Sequence, residues 1–348
     1  MAVWNCYLTH LLSLVSSASA LTLLSAVAAD PELSTLKSVM AGMGTSSDKP
    51  DPQLEERFDS RFDGRNYTFF APTNAAFAKI PASQLQALAL PSNYELLLSI
   101  VRSHIAEGYF TQSAISNTTA PITAIEGFAL SFQGTRINGQ ASITATDFKT
   151  DNGVFHKIDT VLNPYTSYFG LSSPTGQSPG PNINKPDANL EDLLIADRGL
   201  NLYRNITNII TPHQLLHYPY PYTQSQPLPL FLVPSDNAFA VLPRSSYSSF
   251  IAPSNNALSA FLLNAGRLDN IISSSIPAST SLLPKIKAAN GTLALSGANE
   301  LDILLRATGE NKELMVGNAR VERELCWADG CVWVIDRILD PLYGILGV

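Results

Sequence analysis

The spacing of hydrophobic residues predicts that helices come first and short strands later in the early half of the chain. Residues 21–43 and 94–105 place apolar side chains near helical spacing, and residues 85–90 continue that pattern. From 122 to 161 the pattern changes to short alternating runs separated by glycines and Asn-Gly pairs, which are typical of hairpin turns. Helices that precede a run of strands indicate an α+β fold and not a parallel α/β sheet.

Two segments occur twice in the same order. The first copy is TFFAPTNAAF at 68–77 with NGVFHKIDTVLNP at 152–164, and the second is LFLVPSDNAF at 230–239 with DGCVWVIDRILDP at 329–341. A single element recurs by chance more easily than a spaced pair, and the period is longer than that of any solenoid repeat. The repeat therefore predicts two whole domains in tandem.

These segments resemble the two signatures of the fasciclin domain, a T-x-F-A-P-T-N-x-A-F motif and an N-G-V-x-H-x-I-D-x-V-L-x-P motif. The first copy follows both signatures, and the second follows them with departures. The resemblance implies an α+β fold of two tandem fasciclin-type domains, each a β-sheet wedge or sandwich packed with α-helices. It also implies a secreted or surface-bound adhesion and matrix module, with no catalysis as a shared property.

Composition places the boundaries of these domains. We expect a first domain at 21–165, a linker rich in proline, glycine and serine at 166–186, and a second domain at 187–345. A charged insert at 48–65 is expected to be a solvated loop. The run HYPYPY at 217–222 is either an extended recognition strip or a loop packed on its own domain, and general experience favours the packed loop.

The repeated motif residues are expected to build the fold. A proline removes a backbone donor where a strand ends, and the polar residue two positions later accepts hydrogen bonds at the following helix start, with Thr73 as the alternative cap in the first copy. A phenylalanine then buries that helix, and an aspartate of the second motif accepts hydrogen bonds, because a buried carboxylate needs partners. The residues in these roles are Pro72, Asn74, Phe77 and Asp159 in the first copy, and Pro234, Asp236, Phe239 and Asp336 in the second.

Two histidines need separate treatment. His156 lies inside the second motif, where the family often has histidine, and Trp333 replaces it in the second copy. His104 stands where adhesive family members carry a Tyr-His pair implicated in integrin contact, which makes it a possible adhesion contact, although Ser103 replaces the tyrosine. For both histidines we favour a structural role, because a neutral imidazole bridges two buried backbone groups.

The first residues of the chain are typical of a secretory signal peptide. Residues 1–20 carry no Asp, Glu, Lys or Arg, contain an apolar run and end in a small-x-small pattern at Ala18 to Ala20. A second such pattern before Asp30 permits later cleavage, but the apolar pattern of 21–43 favours cleavage after Ala20. Pro31 also permits a helix that begins at Asp30. No transmembrane segment is expected after signal removal.

Removal of the leader leaves two cysteines, Cys326 and Cys331, around a turn-like spacer. In a secreted chain this spacing predicts a disulfide across a hairpin, while free thiols are the alternative. A zinc site lacks nearby histidines. We expect no metal and no cofactor.

Four sequons could carry N-linked sugars, at Asn66, Asn117, Asn205 and Asn290. About four such triplets are expected by chance in a chain of this composition, so their number proves nothing. Asn117 and Asn290 stand in polar, turn-like surroundings and are expected to be exposed.

Charge and motifs narrow the function. The formal net charge of −7 argues against nucleic acid as a partner. The common hydrolase, metalloprotease, phosphate-loop and dinucleotide motifs are absent from the sequence, so we assign no catalytic residue. We expect a non-enzymatic adhesion protein of the cell surface, matrix or cell wall, with the vacuole as a further possible location. Its partners would be surface or matrix proteins or wall polysaccharides, and its oligomeric state is open. The alternatives are a binder of an apolar or lipid-like ligand in a helix–sheet cleft and, third, a hydrolase.

Overall fold

The computed structural model describes residues 21–42, 64–168, 181–185, 187–210, 228–243, 247–248, 250–252, 259, 262–263, 267–272, 278–297, 299–308, 313–327 and 330–346. The expected leader, most of the charged insert, the centre of the linker and the HYPYPY run lie outside the described residues. Residues 21–168 are called the first half below, and residues 181–346 the second half.

In the first half most helices come early and most strands come later, as the apolar spacing predicts. Its helices are α1 (Leu23–Ala29), α2 (Ser34–Gly42), α3 (Asn74–Phe77), α4 (Ala82–Leu88), α5 (Tyr94–Ser103), α6 (Gln112–Asn117) and α7 (Tyr165–Tyr168). Its strands are β1 (Tyr67–Pro72), β2 (Ile105–Glu107), β3 (Ile122–Thr123), β4 (Ala129–Leu130), β5 (Phe132–Gln133), β6 (Arg136–Ile137), β7 (Ala141–Thr150) and β8 (Gly153–Ile158).

The second half repeats this order of elements. Its described helices are α8 (Leu190–Ala196), α9 (Asn201–Ile210), α10 (Asp236–Ala240) and α11 (Ala278–Ala288). Its described strands are β9 (Ile183–Asn184), β10 (Leu228–Pro234), β11 (Arg267–Ile272), β12 (Thr292–Ser296), β13 (Asp302–Thr308), β14 (Glu313–Val316), β15 (Ala319–Trp327) and β16 (Gly330–Ile335). The fold class is α+β in both halves.

Each half is built on one main sheet, and the two sheets have matching strand orders. The first runs β2-β1-β8-β7-β6-β5, and the second runs β11-β10-β16-β15-β14-β13-β12. In both, the strand of the first motif lies parallel to the strand of the second motif, with Phe69 opposite Phe155 and Leu232 opposite Trp333. The two motifs of each repeat are therefore neighbours at the centre of their sheet.

The chain enters the first half through a broken helix. Asp30 accepts a hydrogen bond from the backbone N–H of Glu32 and caps a 3₁₀ turn, Pro31–Leu33, between α1 and α2. Pro31 follows the end of α1 and is the first residue of the 3₁₀ turn. The sequence permitted a helix that begins near residue 21 or one that begins at Asp30, and the structure contains a helical segment at both places. Leu23, Leu24 and Val27 of α1 are buried, so this segment belongs to the core.

The end of the expected linker is part of the second sheet. Ile183 pairs in parallel with Leu325 of β15, whereas β14 pairs only with the beginning of β15. The far part of β15 would otherwise leave backbone groups unpaired, and β9 satisfies them. This differs from the expectation of a linker that reaches residue 186.

The two halves pack against each other through a common hydrophobic cluster, while a second cluster of buried side chains belongs to the second half alone. A single cluster of buried side chains extends from Leu23 in α1 to Leu346 near the end of the chain. Hydrogen bonds cross the same boundary: the Asp302 backbone N–H donates to Gln84 Oε1 at 3.0 Å. The last described residues of the second half therefore complete the packing of the first. In the part of the chain that the structure describes, no helix has both the length and the apolarity needed to cross a bilayer.

Candidate functional site

The helix after each first motif is capped by the residue directly after the proline, which in the first copy is one of the two caps that the sequence left open. Thr73 is the N-cap of α3 and Ser235 that of α10, and each side chain accepts from the backbone N–H three residues on. Asn74 and Asp236 are the first helical residues, so their side chains point away from their own helix start. They accept instead from backbone N–H groups at the starts of α2 and α9, at 2.8 and 2.7 Å. They tie two helices together, which corrects their expected role.

The other residues of the first motif lie at strand ends and in the core. Pro72 and Pro234 are the last residues of β1 and β10. Phe77 and Phe239 are buried, at 6% and 2% exposure. These side chains fix the passage from strand to helix and offer no reactive group.

The motif aspartates join neighbouring strands. Asp159 Oδ1 accepts from the Ser142 backbone N–H at 2.7 Å, and Asp336 Oδ1 accepts from that of Arg320 at 2.8 Å. Asp336 is 5% exposed, whereas the Asp159 side chain is 40% exposed, with Lys79 at 3.8 Å. The expectation of a buried carboxylate is therefore wrong for Asp159 and holds for Asp336. Each side chain hydrogen-bonds the neighbouring strand, one residue beyond the end of its own strand.

A buried cation holds the helical entry of each half against its sheet. Lys157 Nζ on β8 lies 2.7 Å from Asp30 and 2.7 Å from Glu32. In the second half Arg323 on β15 donates two 2.8 Å bonds to Asp197, which caps the 3₁₀ turn equivalent to that of Asp30. A comparison of the two repeats could not reveal these ion pairs, because Lys157 lies on β8 and Arg323 on β15, which are not equivalent strands.

His104 lies inside the first half and not on its surface. It is 2% exposed; Nδ1 donates to the Ile100 carbonyl at 2.7 Å, and Nε2 accepts from the Leu162 backbone N–H at 2.9 Å. Burial lowers the pKa of His104 to about 4, and the bond to Ile100 opposes this only in part. The imidazole is neutral and structural, which is the role favoured from the sequence. The alternative, an adhesion contact at His104, is wrong because the side chain is buried.

This burial predicts acid sensitivity. The pKa of His104 is about 4 in the fold and about 6.5 in an unfolded chain, so the unfolded state binds more protons between these values. Its stabilising effect is complete above pH 6.5 and is lost as the pH falls through 4, by at most about 3 kcal/mol. We expect thermal melts from pH 8 to 4 to fall less steeply for His104→Gln than for the wild type. An equal slope in both would show that the fold does not lower the pKa of His104.

His156 is also buried and bonded internally. It is 0% exposed; Nε2 donates to the Phe110 carbonyl at 2.8 Å, and Nδ1 accepts from the Asp147 backbone N–H at 3.3 Å. Its ring stacks on Phe70 with centroids 5.6 Å apart. Burial lowers its pKa, against the bond to Phe110 and the charge of Asp147. This imidazole bridges a loop and a strand.

The cysteines of the second half form a disulfide across a hairpin. Cys326 and Cys331 face each other on β15 and β16, with Cα atoms 4.1 Å apart. Glu324 lies close enough to form a three-residue cluster with them. Its oxygens already accept from Trp333 Nε1 at 2.9 Å and from the Ser279 hydroxyl at 2.7 Å. With the sulfurs joined and the carboxylate occupied, this cluster serves packing.

The four sequon asparagines, Asn66, Asn117, Asn205 and Asn290, are all exposed. Asn290 stands in a turn with φ of 54°. The sequons of Asn66 and Asn205 differ from the other two, because their threonines, Thr68 and Thr207, are buried at 0% and 1% exposure. Asn117 and Asn290 therefore remain the most open positions for a sugar.

The apolar cavity of the first half is small. It has a volume of about 30 Å³ and lies between helices and sheet. Pockets that hold drug-sized ligands measure roughly 300–1,000 Å³, so a lipid-like ligand does not fit this cavity as it stands. Its lining includes Leu36, Phe69, Phe77, Ile100, His104 and Leu346.

A larger opening lies at the surface, along the edge strand β2. This edge cleft has a volume of about 650 Å³ and is lined by Arg65, Tyr67, Glu107, Phe110, Thr118 and residues 120–125. Arg65 and Glu107 form an exposed ion pair at 3.6 Å across it. The sequon Asn117 lies beside it in sequence. The cleft combines charge of both signs with apolar walls, which suits a polar macromolecule better than a buried small molecule.

Comparisons with known proteins add to this geometry. Residues 51–164 match the family model described as Fasciclin domain. The immunogenic protein MPB70 of Mycobacterium bovis is 35% identical over 138 residues, which are 39% of this chain and 65% of that protein. The cell surface glycolipoprotein MPB83 of Mycobacterium bovis is 32% identical over 135 residues, which are 39% of this chain and 57% of that protein. This chain thus spans less than two thirds of the length of either relative.

A solved structure of a FAS1 domain pair from the insect cell adhesion molecule Fasciclin I is similar over 88% of this chain and 96% of that one. The sequence identity is 16% and the TM-score is 0.32. A likeness of this size carries no functional conclusion.

Proposed function

The chain carries a fasciclin domain in residues 51–164, and on this premise we propose that it is a secreted or surface-associated, non-enzymatic adhesion protein. One observation carries the proposal: the polar side chains of the repeated motifs form hydrogen bonds with other groups of the same chain. Both imidazoles are buried and hydrogen-bonded at both nitrogens, at His104 and His156. Function then depends on the surface, as adhesion requires. The similarity to a protein named a cell surface glycolipoprotein supports this location.

Two tandem domains of the same kind are part of the proposal. The matching strand orders of the two sheets support a second fasciclin-type domain in the second half. Its strand β10 carries the LFLVP segment, and its strand β16 carries the GCVWVI segment. Two domains offer two surfaces that a matrix or wall partner contacts together, which raises the overall affinity.

Export requires a leader that is removed before folding. The burial of Leu23, Leu24 and Val27 supports cleavage after Ala20, because cleavage after Ala29 would remove these core side chains. The Leu23 backbone N–H also donates to Asn152 Oδ1 at 2.8 Å, which ties the segment to the second motif. Amino-terminal sequencing of exported protein should give Leu21 as the first residue.

We place the contact with the partner at the edge cleft. Glu107 lies there with its side chain 61% exposed, so it reaches a partner without disturbing the core. The partner is a surface or matrix protein or a wall polysaccharide. Nucleic acid is disfavoured by the net charge of −7.

Binding of the full chain tests the proposal. Fluorescently labelled protein is incubated with intact cells, wall polysaccharides and lipid vesicles, and Glu107→Lys is compared with Glu313→Lys, which makes the same charge change at an exposed position of the second half. We expect binding to cells or polysaccharide that Glu107→Lys weakens at least about tenfold and Glu313→Lys leaves unchanged, with equal melting temperatures. Binding to vesicles alone would favour the lipid-binding alternative. Equal binding by Glu107→Lys and Glu313→Lys would show that the partner does not contact the edge cleft.

A further inference from the structure

Two equivalent residues of the two repeats meet at the junction between the halves. Asn163 precedes the final proline of the second motif in the first half, and Asp340 holds the same position in the second. Asn163 Nδ2 donates to Asp340 Oδ2 at 2.8 Å. Asn163 is 1% exposed and Asp340 is 5% exposed. A contact between equivalent positions is what a local two-fold relation between the halves produces.

The surroundings of both residues repeat in detail. Asn163 Oδ1 accepts from the Tyr165 backbone N–H at 2.9 Å, and Asp340 Oδ1 accepts from that of Leu342 at 2.9 Å. The backbone N–H of each also donates to a side-chain amide oxygen in the preceding hairpin turn, at 2.8 Å in both cases. Each side chain therefore has one oxygen committed to its own half, and only its second polar atom faces the other half.

This arrangement makes the junction depend on unlike partners. With Oδ1 already committed, Asn163 offers only a donor, and Asp340 offers only an acceptor. Two copies of the first half placed in this geometry would bring two Nδ2 donors together, and two copies of the second half would bring two buried carboxylates together. Either pairing leaves buried polar groups unsatisfied or repelling. We propose that the Asn163–Asp340 pair is a specificity element that directs each half to dock on its unlike partner and disfavours docking on its like.

The protonation state of Asp340 agrees with an acceptor role at neutral pH. Burial raises its pKa to about 6, while the bonds from Leu342 and Asn163 lower it. Asn163 Nδ2 and the Leu342 backbone N–H donate to this carboxylate, and both groups are uncharged. Because the folded pKa is raised, the carboxylate itself stabilises the fold more at acid pH, and this contribution is lost as the pH rises through about 6.

A swap of the two side chains tests the proposal in the full chain. Asp340→Asn creates the Asn–Asn pair, Asn163→Asp creates the Asp–Asp pair, and the double variant restores one donor and one acceptor with their sides exchanged. At pH 7.5 we expect each single variant to melt at least about 3 °C below the wild type. The double variant should recover more than half of the combined loss, since the surroundings of the two positions match.

The control is the double variant that combines Asn163→Asp with Asp336→Asn. It contains the same two types of substitution, but its new amide lies away from the junction. Its melting temperature should show no recovery of the loss caused by Asn163→Asp. The Asn163→Asp single variant should also gain stability from pH 7.5 to 5 more strongly than the wild type, because two facing carboxylates share a proton. The proposal would be overturned if the melting temperature of the double variant of Asn163→Asp and Asp340→Asn fell by as much as the two single losses added together. A pH response of Asn163→Asp equal to that of the wild type would also overturn it, a readout that holds even where the double variant folds poorly.

Discussion

Replacing Gly153 by alanine is expected to disrupt the central sheet of the first half, with a loss of about 3 kcal/mol or more. A Cβ built on Gly153 would lie 2.1 Å from the carbonyl oxygen of Tyr67. That oxygen belongs to the backbone of β1, the parallel neighbour of β8, so relief requires the two central strands to move apart. Urea unfolding followed by circular dichroism gives the loss as a lower midpoint.

Gly42→Ala is the matched control. Gly42 is the last residue of α2, and a Cβ there meets nothing within 4 Å. Alanine should be neutral at this position or should stabilise the helix by up to about 1 kcal/mol. An unfolding midpoint of Gly153→Ala equal to that of Gly42→Ala would mean that β1 and β8 lie farther apart than in this structure.

Removing the cation of the second half is expected to have the next largest effect. Arg323→Ala leaves Asp197 without its two 2.8 Å bonds, and Glu322 loses the guanidinium at 3.4 Å. The side chains of Asp197 and Glu322 are 10% and 5% exposed. Leaving such charges uncompensated costs about 3–5 kcal/mol. We expect urea unfolding at pH 7.5 to show that loss, and acid pH to restore part of it because the stranded carboxylates then take up protons.

Arg320→Ala separates this effect from a general loss of positive charge. Arg320 lies 3.5 Å from Asp336 with its side chain 40% exposed, so its pair is screened by water. Its removal should cost less than about 1 kcal/mol. Arg323→Lys should fall between the two variants, since lysine keeps the charge but not the forked geometry. Equal losses for Arg320→Ala and Arg323→Ala would rule out a special role for the buried pair.

The elements of the first half could be predicted from the sequence because their signals are local. Apolar spacing indicated the early helices, and the glycine-marked hairpin region became β3 to β8. Pro72 ended its strand as expected, because a missing N–H acts within one residue. The disulfide between Cys326 and Cys331 was also a local inference, since a short spacer brings two strands face to face.

Contacts between distant segments could not be predicted in the same way. The sequence contained both motifs, but nothing in it indicated that β1 and β8 pair in parallel, since a parallel pair joins segments far apart in the chain. Asn74 was assigned to its own helix because capping rules consider only neighbouring residues, whereas it serves α2. The Asn163–Asp340 contact joins the two repeats, and a comparison of the repeats shows equivalence without showing contact.

The structural role favoured for His104 is the one that the structure shows, although the sequence alone left an adhesion contact open as the alternative. Its place after an amphipathic helix is compatible with either the surface or the interior. Only the position of Leu162, near the end of the second motif, decides that Nε2 is enclosed. Candidate surface residues such as Glu107 carried no sequence signal, because an edge cleft arises from how a short strand ends a sheet.

The parallel pairing of β1 with β8 also governs when the chain can fold during synthesis. Tyr67 must wait for Gly153, and Pro72 for Ile158, before the central ladder closes. Leu346, which lines the cavity of the first half, emerges later still. Contacts of such long sequence separation slow folding and leave apolar surface open meanwhile. We therefore expect a nascent chain exported as proposed above to cross the membrane unfolded, and to need protection from aggregation until nearly all of it has been made.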